Sequence, residues 1–378
     1  MCFTPYQLIT AMYYSYVFPN VNKTLIYMDY SDYKIEQRFY LKYFDSVVYV
    51  PSYINDNILI KQFKKCYYGG HLYKFTNIHN YLKNKNKTIC FIFSDQECLS
   101  YKALVDLYKK KDNVIILTEE GLGTYVKNSK LPLKTMLINK ILGINTLKYV
   151  GESNKYDYVF VKKPNKLEVD KFLDKKVILE NEFFNDFNFI NDLNINLDSI
   201  LLNNKFILFL GSPIDQLKIN KDEYVRIIKE IILKFNNQYR IVIKPHHMED
   251  ISIYNGLKDI ILIDKYSWVP AELIVQKYNP IALFGIYSAS IMNIAQLKPN
   301  LSIYLLYGIL GLNLPDIVCK SYLSYKSVIL INDYIDFYNI NLYNDTNNVL
   351  DINNKNLGYE DGQDVSILSN LLYTLQNN

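Results

Sequence analysis

Three short segments carry residue types that could do chemistry together: Glu119-Glu120-Gly121, Lys244-Pro245-His246 and Ser288-Ala289-Ser290. A carboxylate can take a proton from a hydroxyl. A histidine titrates near neutrality and can give a proton to a departing phosphate. Hydroxyls and free N–H groups at a helix start can hold that phosphate. Together they outline a general base, a general acid and an anion cradle, the set needed to move a group from a phosphate leaving group onto a hydroxyl.

Each segment also has a plainer reading. Two adjacent carboxylates at a strand end point different ways, so one can face a ligand while the other binds locally. Like charge and partial burial raise a carboxylate pKa towards that of a useful base. Gly121 and Gly123 would let the chain turn sharply there. The alternative is a polar loop carrying the acids of a helix start. His246 and His247 are two of the four histidines in the chain. Neighbouring side chains in an extended loop diverge, and no third ligand stands at a standard spacing, so a metal pair is not read here. A purely structural His246 is the alternative, and His71 and His79 read as surface residues. Ser288 fits an N-cap as well as a phosphate ligand, and both uses share one helix end. Pro270-Ala271-Glu272 opens another helix, with Pro270 placed at its first position. There Glu272 either complements the helix dipole or accepts a hydrogen bond from a base amino group. No Asp-x-Asp pair, phosphate-binding Walker loop, G-x-S-x-G elbow or strand-linked G-x-G-x-x-G is present.

All three segments follow short apolar runs, at 114–118, 240–243 and 281–284, that read as buried strands. Ligands of open α/β sheets bind outside the carboxyl ends of strands, so these loops fall where a site belongs. Further strands are read at 23–30, 46–50, 88–93, 206–210, 260–263 and 301–305. Helical spacing marks 96–110, a helix capped by Asn220 with Asp222 and Glu223 in its first turn running to about 235, helices from Pro270 and Ser288, and a last helix over 365–375. Strands alternating with helices argue for parallel sheets covered on both faces. Residues 162–204 turn rich in Asn, Asp and Lys. The expected organisation is an N-terminal α/β domain over 1–165, a connection over 166–204 and a second α/β domain over 205–378, its last helix packing back on the first domain.

The bulk properties agree with this plan. A chain of 378 residues exceeds one typical core. Hydrophobic residues make up 49% and mean hydropathy is −0.07, which excludes a disordered chain and an integral membrane protein. No apolar run reaches the roughly 18 residues of a spanning helix. The start, Met1-Cys2-Phe3-Thr4, has no basic leader and reads as a first strand whose beginning is cut off. Five scattered cysteines without a framework fit a reducing cytoplasm and read as small buried hydrophobes. A net charge of +4 is too modest for nucleic acid. Basic clusters such as Lys109-Lys110-Lys111 read as solvated loop ends, or as a face touching anionic lipid or glycan.

Taken together, the segments resemble the bacterial sialyltransferases of the GT-B type, whose plan is two doubly wound Rossmann-like α/β domains facing across a cleft. The chain looks most like glycosyltransferase family 52, with the bacterial polysialyltransferases as near neighbours. The family's acidic-acidic-Gly, His-Pro and paired Ser/Thr motifs are matched by Glu119-Glu120-Gly121, Lys244-Pro245-His246 and the segment at Ser288. The opening Cys2-Phe3-Thr4-Pro5-Tyr6-Gln7 is similar to its first strand and loop, Phe209-Leu210-Gly211-Ser212-Pro213 to the start of its second domain, and Pro270-Ala271-Glu272-Leu273 to its nucleotide-binding segment.

The resemblance implies roles residue by residue. Glu119, or else Glu120, deprotonates the acceptor hydroxyl, with Gly121, Thr4, Pro5 and Gln7 on the acceptor side. His246 protonates or hydrogen-bonds the departing CMP phosphate. Ser288 and Ser290 hold that phosphate, Glu272 takes the cytosine or its sugar, and Gly211 and Lys244 line the donor site. It implies an inverting, metal-independent transfer with no cofactor, from CMP-sialic acid to a galactose or sialic acid of a lipooligosaccharide or capsular glycan. Such an enzyme would be cytoplasmic, peripheral at the inner membrane face, and a homodimer. His247 stands where the family has Pro, and Ala289 interrupts the hydroxyl pair. A related transferase using another nucleotide sugar, and a non-catalytic glycan-binding relative, are the competing readings.

Overall fold

The computed structural model describes residues 2, 4–28, 35–50, 88–93, 113–119, 156–161, 176–179, 183–197, 201, 205–246, 249–314 and 316–342, with isolated positions at 133, 136, 137, 370 and 373. The chain divides into two compact units, Met1–Phe183 with Gly358–Asn378, and Phe184–Leu357. The helix read over 96–110, and that over 365–375 apart from Asn370 and Tyr373, lie outside the described residues.

In the first unit, helix α1 (Pro5–Val17) starts at a capping box. Thr4 Oγ1 accepts from the Gln7 N–H at 3.3 Å, and Gln7 Oε1 accepts from the Thr4 N–H at 3.4 Å. Of the expected opening strand Cys2 is described, and it bridges to Tyr27 of β1. Pro5 begins the helix because its missing N–H costs nothing in a first turn. Strands β1 (Thr24–Met28) and β2 (Ser46–Val50) pair in parallel. Strands β3 (Ile89–Ile92), β4 (Val114–Thr118), β5 (Tyr158–Val161) and β6 (Lys176–Leu179) form a second parallel sheet in chain order. Tyr14 of α1 packs on Ile116 and Phe160 and stacks on Phe91, with ring centroids 4.7 Å apart. Strand β6 sits inside the polar stretch read as a connection; four residues of strand are too few to shift a local composition.

The second unit holds a six-stranded parallel sheet made of β7 (Phe206–Leu210), β8 (Arg240–Lys244), β9 (Ile260–Leu262), β10 (Ala282–Gly285), β11 (Ser302–Leu305) and β12 (Val328–Leu330), in the order β12-β11-β10-β7-β8-β9. The chain builds outward from β7 to β9, returns to the other side of β7, and builds outward again to β12. That is a doubly wound sheet with its switch point between β7 and β10. All five residues of β7 are buried, as a strand covered on both faces must be.

Helix α2 (Lys221–Phe235) buries Tyr224, Ile227, Ile228, Ile231, Ile232 and Phe235, one stripe at 3.6-residue spacing. Its Asn220 cap accepts from the Asp222 and Glu223 N–H groups at 2.9 and 3.2 Å, as the sequence predicts. Helices α3 (Ala271–Tyr278), α4 (Ala289–Leu297) and α5 (Asp316–Leu323) follow. Pro270 stands one position before the helix rather than at its first turn, with extended backbone, because Ala271 is the first residue to take up helical geometry.

Candidate functional site

The carboxyl ends of β7, β8 and β10 bring most of the expected donor-side residues to one crevice. Gly211 follows β7, and its N–H donates to the Lys244 carbonyl at 2.9 Å, extending the ladder by one rung. Across the switch point, Ser212 Oγ lies 3.4 Å from the Tyr287 carbonyl beyond β10. Lys244 ends β8, and Pro245 and His246 follow it. His246 is half-buried.

Lys244 Nζ donates to the Ser267 carbonyl at 2.9 Å. Burial lowers its pKa to about 8, against the pull of Glu272 and Glu249, which favour its charged form. Ser267 is 3% exposed, and its Oγ is buried without a hydrogen-bond partner. Glu249 is also buried; its Oε2 accepts from the His246 N–H at 2.9 Å. Burial pushes the Glu249 carboxyl up, while the nearby Tyr224 hydroxyl, the His246 N–H, the Tyr254 hydroxyl and the Ser212 main chain pull it back down.

The end of β10 is built differently. Ser288 caps α4, its Oγ accepting from the Ser290 N–H at 3.3 Å. The Tyr322 hydroxyl, from α5, accepts from the Ser288 N–H at 3.1 Å and donates to the Ser288 carbonyl at 3.0 Å. Burial holds that phenol well above its ordinary pKa, so it stays a donor. Glu272, in the first turn of α3, is fully buried, and Ser290 Oγ and Asn293 Nδ2 donate to its carboxylate at 3.1 and 2.8 Å. Ser290 and Glu272, expected on different parts of a nucleotide, thus bond each other.

In the first unit, Glu119 is the residue after β4, 5% exposed, with its N–H donating to the Phe160 carbonyl at 2.9 Å. Beside it, Thr118 Oγ1 is buried without a hydrogen-bond partner. Glu120, Gly121 and His247 lie outside the described residues. Thr4, Pro5 and Gln7 form the start of α1, where Thr4 and Gln7 satisfy each other. Among the described residues no group of three or more His, Cys, Asp or Glu stands as a metal cluster, and no helix is long and apolar enough to cross a membrane.

Sequence reasoning passed over Glu249, Ser267, Asn293 and Tyr322. The first stands three residues after His246, a turn spacing that is a weak signal at best. The others reach the crevice from distant parts of the chain, where spacing carries no information.

The model of the alpha-2,8-polysialyltransferase (POLYST) family matches residues 1–307 of the chain. The chain belongs to that family. Family membership makes it a glycosyltransferase of the sialyltransferase kind. The match is to the near neighbour of the sequence reading, and likeness to glycosyltransferase family 52 stays a resemblance. No curated protein matches the chain.

Among solved structures, the chain is similar to the UDP-GlcNAc 2-epimerase from Methanocaldococcus jannaschii, at 13% identity over 97% of this chain and 96% of that one, TM-score 0.53. It is similar to a putative UDP-N-acetylglucosamine 2-epimerase from Listeria monocytogenes, at 14% identity over 89% and 84%, TM-score 0.52. The GT-B domain of a sialyltransferase from Photobacterium damselae matches at 14% identity over 86% and 94%, TM-score 0.47. At these identities the two epimerases speak to the fold alone: this polysialyltransferase-family chain has an α/β fold of two Rossmann-like domains.

Proposed function

We propose that the protein transfers sialic acid from CMP-sialic acid to a hydroxyl of a sialic acid at the end of a bacterial surface glycan, of lipooligosaccharide or capsular type. The observation that carries this reading is a half-buried histidine at the carboxyl end of β8, beside the β7–β10 switch point, in a chain of the alpha-2,8-polysialyltransferase family. The family's description favours sialic acid over galactose as the acceptor.

In this reading the acceptor oxygen attacks C2 of the donor sugar from the face opposite CMP, and the bond from C2 to the phosphate oxygen breaks, inverting the anomeric centre. Glu119, or Glu120, takes the acceptor proton, and His246 gives a proton or hydrogen bond to the departing phosphate. CMP leaves with a single phosphate, so one histidine, the Lys244 ammonium and the start of α4 supply the positive field that a diphosphate would draw from a metal. Glu272 acts towards the cytosine or ribose through the α3–α4 junction that it holds. The enzyme works at the cytoplasmic face of the inner membrane, where nucleotide sugars are made.

The test is CMP release from CMP-sialic acid by the purified protein in EDTA, with oligosialic acid, lactose or no acceptor. Release that needs oligosialic acid and survives EDTA is the expected result. Release only with lactose would move the acceptor to galactose. No release, together with no thermal shift from CMP, would overturn the donor.

A further inference from the structure

Glu249 holds both main-chain polar groups of His246. Its Oε2 accepts the His246 N–H at 2.9 Å, and its own N–H donates to the His246 carbonyl at 2.9 Å. The carboxylate is pressed against Gly211, the residue after β7. A Cβ on Gly211 would lie 2.0 Å from Glu249 Oε2, 2.7 Å from the His246 nitrogen and 2.9 Å from Pro245 Cα. Gly211 is therefore glycine because that carboxylate and the His246 loop fill the space above its Cα. Around the carboxylate stand Lys244 from β8, Tyr224 from α2 and Tyr254, the two tyrosine hydroxyls being 3.2 Å apart. Its Oε1 makes no hydrogen bond of good geometry. Burying a carboxylate in this way is costly, and an apolar residue of equal size often serves stability as well.

We propose that Glu249 is a positioning residue for His246: with Gly211 it fixes the His246 main chain at the crevice, so that the imidazole meets the leaving phosphate in one orientation. The proposal rests on the reading of His246 as the group that acts on that phosphate. A reacting group displaced by about 1 Å can lose about 10²-fold in rate while binding is retained.

Glu249→Met keeps the volume of the side chain and removes the acceptor; Glu249→Gln keeps an acceptor of the same length. The readouts are kcat with CMP-sialic acid and oligosialic acid, the Kd for CMP by calorimetry, and the melting temperature. The expected result is a kcat about 10²-fold lower in Glu249→Met with CMP affinity kept, and recovery of most of that loss in Glu249→Gln. His246→Ala is measured alongside. If His246→Ala is inactive while Glu249→Met keeps full kcat, or if Glu249→Gln is no better than Glu249→Met, the positioning role is overturned and the reading of His246 stands. If His246→Ala keeps full activity, that reading falls and the positioning role falls with it. Should Glu249→Met not fold, Glu249→Leu takes its place: kcat must fall with CMP affinity kept, and an unchanged kcat overturns the proposal.

Discussion

The ends of β8 and β10 lie in one sheet yet are finished in opposite ways. At β10 the polar groups close on one another: Tyr322 takes both main-chain groups of Ser288, Ser288 takes the Ser290 N–H, and Ser290 and Asn293 take Glu272. At β8 the polar groups are left partly unspent. Among the described residues, Lys244 Nζ hydrogen-bonds the Ser267 carbonyl alone, and Ser267 Oγ and Glu249 Oε1 have no hydrogen-bond partner. A closed network costs stability to break and offers little to a ligand, whereas buried groups with spare capacity gain when a ligand completes them. The β10 end reads as scaffold, giving a ligand only the field of the α4 start that it holds in place, and the β8 end as the reactive side.

The largest expected effects test the reactive side. His246→Ala lowers kcat by about 10²–10⁴-fold, with a smaller change in CMP affinity. Glu119→Gln acts likewise and Glu120→Gln less. If Glu120→Gln is the more damaging of the two, the carboxylate roles exchange. A His246→Ala effect confined to the melting temperature would erase the contrast between the two strand ends.

Next comes the scaffold. Glu272→Ala removes the acceptor of two half-buried donors and should cost about 2–3 kcal/mol in urea unfolding. Loss of CMP binding without loss of stability would move Glu272 from scaffold to ligand. Tyr322→Phe deletes one hydroxyl that serves two main-chain groups and should cost about 1–2 kcal/mol by the same measurement, with kcat nearly unchanged.

The smallest effect sharpens the electrostatics. Lys244 has its pKa depressed from 10.5 to about 8 in the fold, so between those values the unfolded chain holds a proton that the folded chain has lost. Stability contributed at this position therefore rises with pH across that window. The melting temperature of wild type relative to Lys244→Met should climb from pH 8 towards 10.5. A flat difference would mean that the ammonium is better solvated than its surroundings indicate.

Local patterns explain which parts were legible. The runs at β4, β7, β8 and β10 are short, apolar and bounded by polar residues, and Asn220 with its two acids marks a helix start that needs no tertiary information. Helix α1 was opaque because it buries residues on nearly every side, Gln7 and Thr10 among the apolar ones, which leaves no periodic contrast. The histidine loop was legible as a motif following a strand. Its partner Glu249 was not, because an acid three residues on looks the same whether it faces solvent or folds back over a glycine. The pairing of Ser290 with Glu272 needed the packing of α4 against α3, and the grip of Tyr322 on Ser288 needed α5; neither has a signature in spacing.

The strand order of the second unit also bears on how the protein is made. Strand β7 leaves the ribosome first and finds β8 soon afterwards, but its other edge stays bare until β10 has been synthesised. During that interval five residues fit only for burial present an open row of main-chain donors and acceptors, the kind of edge on which chains aggregate. The crevice thus cannot form until the fourth of the six strands has been made. Slowing synthesis between β9 and β10 should lengthen the time for which the nascent chain depends on a chaperone.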